Sequence, residues 1–512
     1  MLAKINSGAI VGLDAVLIEV EVDVASRGLP SFTIVGLPDK AVEESKERVR
    51  ASLQNSGTNF PARRITVNLA PANLPKEGPA YDLPIALGIL IGSQEISASI
   101  NNAVVFGELS LEGTLRPTNG TLPLVLMAKK EGIKNVFLPQ KNATEASIVK
   151  EVNIFPVQSI KQLVSHLTKL KLIKKIPPTN FNQLLNEQLY DIEMSDVHGQ
   201  EHAKRALEIA SAGAHNLFMY GVPGAGKTML ARAFASILPP LTEQESLEVT
   251  KIYSISGQIP QGKALITTRP FRNPHHTTSR IGLIGGGSKP KPGEISLTHR
   301  GVLFLDEFPE FPRHVLESLR QPIEDGIVQI SRAIATASFP AQFILIAAAN
   351  PCPCGYFGSQ KKHCSCLPGA IVRYQKKISG PIMDRIDLHV NVPEVKLTSL
   401  TSHDPTKIEN SKTIRSRVNQ ARNAQLTRFR KTNLITNSEM STKQIKKFVP
   451  LSNQAKSFLT QATAKIGLTA RSYFKMIKIA RTIADLESND NIQVGHLAEA
   501  IQYRPQQHTL VS

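Results

Sequence analysis

The chain has 512 residues, with 60 Lys and Arg against 42 Asp and Glu, a formal net charge of +18, four cysteines and no tryptophan. This is too long for one compact domain, and 41% hydrophobic with 20% charged residues is ordinary globular composition, which excludes disordered, collagen-like and disulfide-scaffold classes. The longest apolar run, residues 83–92, falls well short of the about 20 residues of a membrane span. Asp14, Glu19 and Glu21 stand where a secretory signal would be apolar, so a soluble cytoplasmic protein is expected.

In chain order, strand-like runs over 15–24, 32–35, 64–69, 104–108 and 135–138 alternate with helical stretches over 40–56, 82–92 and 124–132. This pattern predicts an α/β domain over 1–168. The basic stretch KLKLIKKIPPTN, with its proline pair, reads as the core of a linker over 169–190. Apolar runs at 217–220, 302–305 and 343–349 then alternate with helices, predicting a second α/β module over 191–395. Beyond it, helical periodicity over 408–430 and 442–503 predicts a helical module, 396–512.

The run GVPGAGKT, residues 221–228, follows the strand-like LFMY and precedes the helical MLARAFASIL. That context suits a phosphate cradle: Gly221, Val222, Pro223, Gly224, Ala225 and Gly226 form a loop whose glycines let backbone N–H groups converge on the phosphates, and Lys227 neutralises the β and γ oxygens. Thr228 offers a hydroxyl to Mg2+, and Met229 continues into a helix whose dipole adds to the field. In VLFLDE, one carboxylate, Asp306, can hold the Mg2+ shell while the other, Glu307, orients or deprotonates the attacking water; a solvated strand end is the alternative. Asn350 ends the strand FILIAAAN and can reach the γ-phosphate or the lytic water; the alternative is an asparagine at a turn before Pro351. Arg385 lies between Asp384 and Asp387, where a local ion pair is the plain reading, and Arg471 starts an amphipathic helix, where a surface arginine is ordinary.

The second and third modules resemble an AAA+ ATPase, a P-loop core followed by a helical lid. DVHGQ (196–200) is similar to the segment beside the adenine, Asn350 to sensor 1, Arg385 to the arginine finger and Arg471 to the sensor 2 arginine. Within that class, FRNPHHTTSRIGLIGGG, LRQPIEDGIVQISRA and AAANPCPCG followed by SGPIMDRIDLHV resemble the magnesium-chelatase-like ATPases of the ComM/YifB type, over essentially the whole chain. The resemblance implies catalytic roles for Lys227, Asp306, Glu307, Asn350, Arg385 and Arg471, and ATP bound between the subunits of a hexameric ring with the arginine finger given in trans. It also implies a DNA motor that drives branch migration during recombination of transforming DNA. A chelatase-type remodelling ATPase acting on a protein partner is the alternative.

Residues 1–165 are similar to the Lon-type protease fold. LPKEGPAYDLPIALGIL resembles the Lon stretch with the nucleophilic serine, but that position is Ala80, and the position matching the partner lysine is Leu122. A Ser-Lys dyad needs both groups, so a non-proteolytic domain is expected.

All four cysteines, Cys352, Cys354, Cys364 and Cys366, fall within fifteen residues, a clustering that favours structural Zn2+ over disulfides in an intracellular protein; free thiols are the alternative. The His275–His276 pair has no matching ligand spacing and reads as loop structure.

The charge points to a polyanion. Residues 1–170 carry a net +1 and the remainder +17, of which +10 lies between Lys361 and Lys431. Residues 327–340 read as two strands around Arg332 and resemble the presensor hairpin of the MCM helicases, which implies a DNA contact at Arg332; an arginine paired with a neighbour is the alternative. Lys289 and Lys291 in GGGSKPKPG are further candidates, with a solvated charge pair as the alternative. The few aromatics there, Tyr374 and Phe429, argue for tracking of single-stranded or branched DNA by its backbone, without sequence-specific readout.

Overall fold

The computed structural model describes residues 1–98, 100, 102–185, 190–260, 262–287, 290–331, 336–394 and 409–505. The chain divides into two compact units, Met1–Asn186 with Thr242–Thr267, and Glu187–Leu241 with Thr268–Ser512.

In the first unit, β1 (Leu2–Val11) and β2 (Asp14–Val24) form a hairpin turned at Gly12, in register Leu2↔Asp23 to Val11↔Asp14. Alternation places Ile18, Val20, Val22 and Val24 in the core and leaves Glu19 and Asp23 outward. With β3 (Ser31–Val35), β4 (Arg64–Ala70), β5 (Ala103–Val105), β6 (Asn135–Pro139) and β7 (Asn153–Val157) they make a seven-stranded mixed sheet, ordered β3-β4-β2-β1-β5-β6-β7. The helix Asp82–Gly92 is apolar on every side because nearly all of it is buried on that sheet.

The excursion Thr242–Thr267 falls inside the stretch expected as ATPase core, yet it packs with the first unit. Leu265 and Leu247 join the cluster around Val125 and Phe106, and the helix Glu243–Ser256, closed by a Thr242–Glu245 capping box, lies on the helix Thr121–Lys130.

The second unit is built on a parallel sheet of β8 (Leu217–Tyr220), β9 (Phe271–Arg272), β10 (Val302–Leu305), β13 (Ile344–Ala349) and β14 (Leu388–Asn391), ordered β9-β10-β13-β8-β14. Between β10 and β13 stands a separate hairpin, β11 (Ile327–Ser331) with β12 (Thr336–Pro340). One face of the sheet, including Leu217, Met219, Ile346 and Val390, shares a single apolar cluster with Phe234 of the helix Lys227–Ile237 and with Val418, Ile483 and Leu497 of the C-terminal helices. The helical region is therefore welded to the sheet by a common core. No helix among the described residues is long and apolar enough to cross a membrane.

Candidate active site

Parallel strands gather at one edge whatever follows their carboxyl ends. After β8 comes the P-loop, after β10 Asp306 and Glu307, and after β13 Asn350. Gly224 and Gly226 adopt φ of 78° and 93°, turning the loop into the helix that starts at Lys227. Lys227 is buried, and its Nζ donates to Gly221 O at 2.6 Å, Val222 O at 3.0 Å and Asn350 Oδ1 at 3.1 Å. Burial lowers its pKa from the usual lysine value, an effect the nearby Asp306 carboxylate opposes. Thr228 Oγ1 donates to Asp306 Oδ2 at 2.7 Å, so one hydroxyl and one carboxylate meet as a hard-oxygen pair suited to Mg2+. Gln200, at the end of the adenine-like segment, reaches the same loop by donating to Ala225 O at 3.2 Å and Pro393 O at 2.6 Å.

Glu307 follows in left-handed backbone, φ 49°, half exposed. Its Oε2 lies 3.2 Å from His276 Nδ1, and the His276 ring packs 4.1 Å from that of His275. His275 and His276 lie in the loop after β9, as their spacing predicts, and nothing in that spacing points to Glu307. The signal was tertiary: β9 pairs with β10 at Phe271↔Val302, which carries the loop after β9 to the acidic pair.

Arg385 and Arg471 stand elsewhere. Leu388 opens β14 in register with Leu217, the first residue of β8, so Arg385 lies at the amino edge of the sheet, roughly 13 Å of strand from the P-loop edge. Arg385 pairs with neither flanking aspartate: its Nη2 donates to Glu324 Oε2 at 2.6 Å. Arg471, at the start of the helix Ala470–Leu486, donates to the other oxygen of the same carboxylate. The structure thus brings these two arginines together and apart from Lys227, Thr228, Asp306 and Asn350.

The four cysteines converge. Sγ–Sγ distances are 3.4 Å for Cys352–Cys354, 3.6 Å for Cys352–Cys364 and 3.5 Å for Cys354–Cys364, and all four sulfurs, Cys366 included, lie within 4.8 Å of one another. A tetrahedron with Zn–S near 2.3 Å has edges of about 3.8 Å, whereas a disulfide needs about 2.05 Å, so the spacing fits a metal and not a bridge. The Cys354 thiol is pulled down to about 6, led by the hydrogen bond from the Tyr356 backbone. Gly355, at φ 85°, rests against the P-loop: a Cβ there would come within 2.5 Å of Pro223 Cγ.

Among the candidate DNA contacts, Arg332 and Lys289 lie outside the described residues. Lys291 is exposed on a short ribbon, Lys291–Pro292 paired with Gly285–Gly286. Gly285 sits close enough to Ile330 of β11 that a Cβ would come 3.0 Å from its Cδ1, so ribbon and hairpin abut. Tyr374 and Phe429 are both buried and offer no stacking platform.

In the first unit, Ala80 packs against the apolar cluster that contains Leu122. The two positions matched to a Ser-Lys dyad thus belong to one apolar cluster, and both are hydrocarbon.

A parallel sheet carrying a P-loop and an acidic pair on its carboxyl edge, followed by a helical region, defines the AAA+ class of P-loop proteins. Family models agree: residues 193–400 match "Magnesium chelatase, subunit ChlI", 20–142 "Subunit ChlI of Mg-chelatase", and 408–504 "Magnesium chelatase, subunit ChlI C-terminal". The chain is 43% identical over 507 residues to the competence protein ComM of Haemophilus influenzae, covering 98% of this chain and 97% of that one. It is 40% identical over 504 residues, with the same coverages, to YifB of Salmonella typhimurium. A shorter stretch, 32% of the chain and 31% of the relative, is 27% identical to Lon protease 2 of Bacillus subtilis. The chain belongs to the ComM/YifB family of magnesium-chelatase-like AAA+ proteins.

Proposed function

We propose that this chain is an ATP-hydrolysing motor that works on DNA as a hexameric ring, in the cytoplasm, moving or unwinding branched or single-stranded DNA during homologous recombination in natural transformation. One observation carries the reading: the phosphate-binding groups follow β8, β10 and β13, while Arg385 and Arg471 occupy the opposite edge of the same sheet. Arginines so placed serve a neighbour's nucleotide, and hydrolysis then requires subunits arranged head to tail in a closed ring.

In this reading Lys227 and the P-loop N–H groups hold the phosphates, and Thr228 and Asp306 hold Mg2+, which supplies charge neutralisation. Glu307 accepts the proton of the attacking water, and Asn350 orients that water from beside Lys227. Arg385 and Arg471 stabilise charge on the neighbour's transferring group. The four thiolates hold structural Zn2+, and the loop they staple braces Pro223 and Asn350. Arg332, Lys289 and Lys291 contact DNA phosphates without reading bases. The Lon-like unit is a non-proteolytic scaffold. The naming of one relative as a competence protein supports the recombination role.

The family match to a magnesium chelatase subunit favours a second reading, a remodelling ATPase acting on a protein partner. ATP hydrolysis measured with forked, four-way and single-stranded DNA across a salt series separates the two. A DNA motor should be stimulated, with half-maximal DNA rising steeply with salt, and Lys291→Ala should reduce that log–log slope by about one. Absence of stimulation by any of these DNAs at low salt would overturn the DNA reading and leave the protein-remodelling one.

A further inference from the structure

Arg385 precedes β14 and Arg471 begins a C-terminal helix 86 positions later, yet one side chain holds both. Glu324 Oε2 accepts from Arg385 Nη2 at 2.6 Å, and Oε1 accepts from Arg471 Nη2. Arg385 Nη1 donates to Pro381 O at 2.6 Å, and its Nε is buried without a partner among the described residues, so Glu324 and Pro381 set the plane of the guanidinium. Two guanidinia on one carboxylate leave a net positive charge, which suits a phosphate and not a finished structural ion pair. Partial burial would raise the Glu324 carboxyl, but the hydrogen bonds from Arg385 and Arg471 outweigh it and hold it below the usual carboxylate range.

Glu324 also has a second attachment. It lies in the last turn of the helix Arg320–Asp325, which Gly326 (φ 65°) turns directly into β11 of the hairpin. Ala341 N donates to Gly326 O at 2.7 Å and Ile327 pairs with Pro340, so the base of the hairpin is closed one residue after that helix.

We infer that Glu324 is a positioning residue that presents Arg385 and Arg471 as one unit to the neighbouring subunit's nucleotide, and that ties this pair to the base of the hairpin. The inference rests on the ring ATPase proposed above and deepens it. It makes DNA-stimulated hydrolysis depend on a residue that touches neither DNA nor ATP: displacement of the hairpin moves Glu324, and Glu324 moves both arginines.

The test uses full-length Glu324→Ala, Glu324→Asp and Arg385→Ala proteins, with ATP turnover measured with and without four-way DNA. Glu324→Ala should lower kcat by about tenfold to a hundredfold while the KM for ATP changes less than about twofold, because its own phosphate edge is intact. Its remaining turnover should no longer respond to DNA, and Glu324→Asp should recover part of both. Mixing Glu324→Ala with Lys227→Ala subunits should give more turnover than either alone, since some interfaces then pair an intact nucleotide edge with intact arginines. Retained kcat and DNA response in Glu324→Ala, a loss confined to KM, or no gain on mixing would each overturn the inference. If Arg385→Ala itself keeps parental turnover, the ring reading fails; if Arg385→Ala is inactive and Glu324→Ala is not, only the role of Glu324 fails.

Discussion

The helix Thr121–Lys130 in the first unit and the helix Lys227–Ile237 in the second both start from a glycine in left-handed backbone, Gly120 at φ 76° and Gly226 at φ 93°, and neither has a side-chain cap. Each therefore leaves its first-turn N–H groups without an intrahelical partner and presents a positive dipole end. In the second unit these groups face Lys227, Thr228 and Asp306, a polar set open to a phosphate. In the first, the Leu122 N–H donates to Glu145 Oε1 at 2.9 Å and to Ser254 Oγ at 3.3 Å, and the flanking side chains are apolar. The protein's own buried carboxylate occupies the place of an anion, and Ser254, from the excursion Thr242–Thr267, closes it by donating to that same oxygen at 2.5 Å. A helix start becomes a binding site only where the fold leaves its donors unspent.

The most severe way to break this contrast is Lys227→Ala. It removes a buried cation of the P-loop edge, and ATP turnover should fall at least about a hundredfold, with nucleotide binding lost in a filter or fluorescence titration. His276→Ala leaves the phosphate cradle whole but frees Glu307; kcat at saturating ATP should drop about tenfold with KM little changed, and His276→Asn, which keeps an N–H donor, should recover part of it. The smallest effect is expected in the first unit. Burial raises the Glu145 carboxyl above its ordinary value of 4.5, against the hydrogen bonds from Ser254 and Leu122. The folded state thus holds that proton more tightly than the unfolded chain, and the associated stability is present at low pH and lost as pH climbs above 4.5. Glu145→Gln should flatten the fall of the urea midpoint with rising pH while leaving ATP turnover at the parental level.

Much of the phosphate edge was legible because its parts are local. Lys227 and Thr228 lie within a strand, loop and helix contiguous in sequence, and Asp306 and Asn350 each follow a short apolar run that reads as a buried strand. The cysteine cluster was legible for the same reason. His276 and Glu324 were not: each pairs with a residue 31 or more positions away, His276 with Glu307 through the pairing of β9 with β10, Glu324 with Arg385 and Arg471 through packing of the C-terminal helices. The flanking Asp384 and Asp387 made a local pair for Arg385 the plain reading, and the fold prefers the distant Glu324. Nor does any pattern in 242–267 announce that Leu247 and Leu265 pack with the first unit, since apolar spacing tells that a face is covered and not by what.

By itself the amino-acid order determined the α/β class, the P-loop, the acidic pair, and the concentration of positive charge beyond residue 170, because each depends on residue type and near-neighbour spacing. Tertiary structure alone decided that Arg385 and Arg471 share Glu324 on the edge opposite the phosphates, that His276 meets Glu307, and that part of the expected ATPase stretch completes the other unit. Those outcomes depend on strand order and long-range packing, where small differences among many competing burials select one arrangement and no short window of sequence contains the comparison.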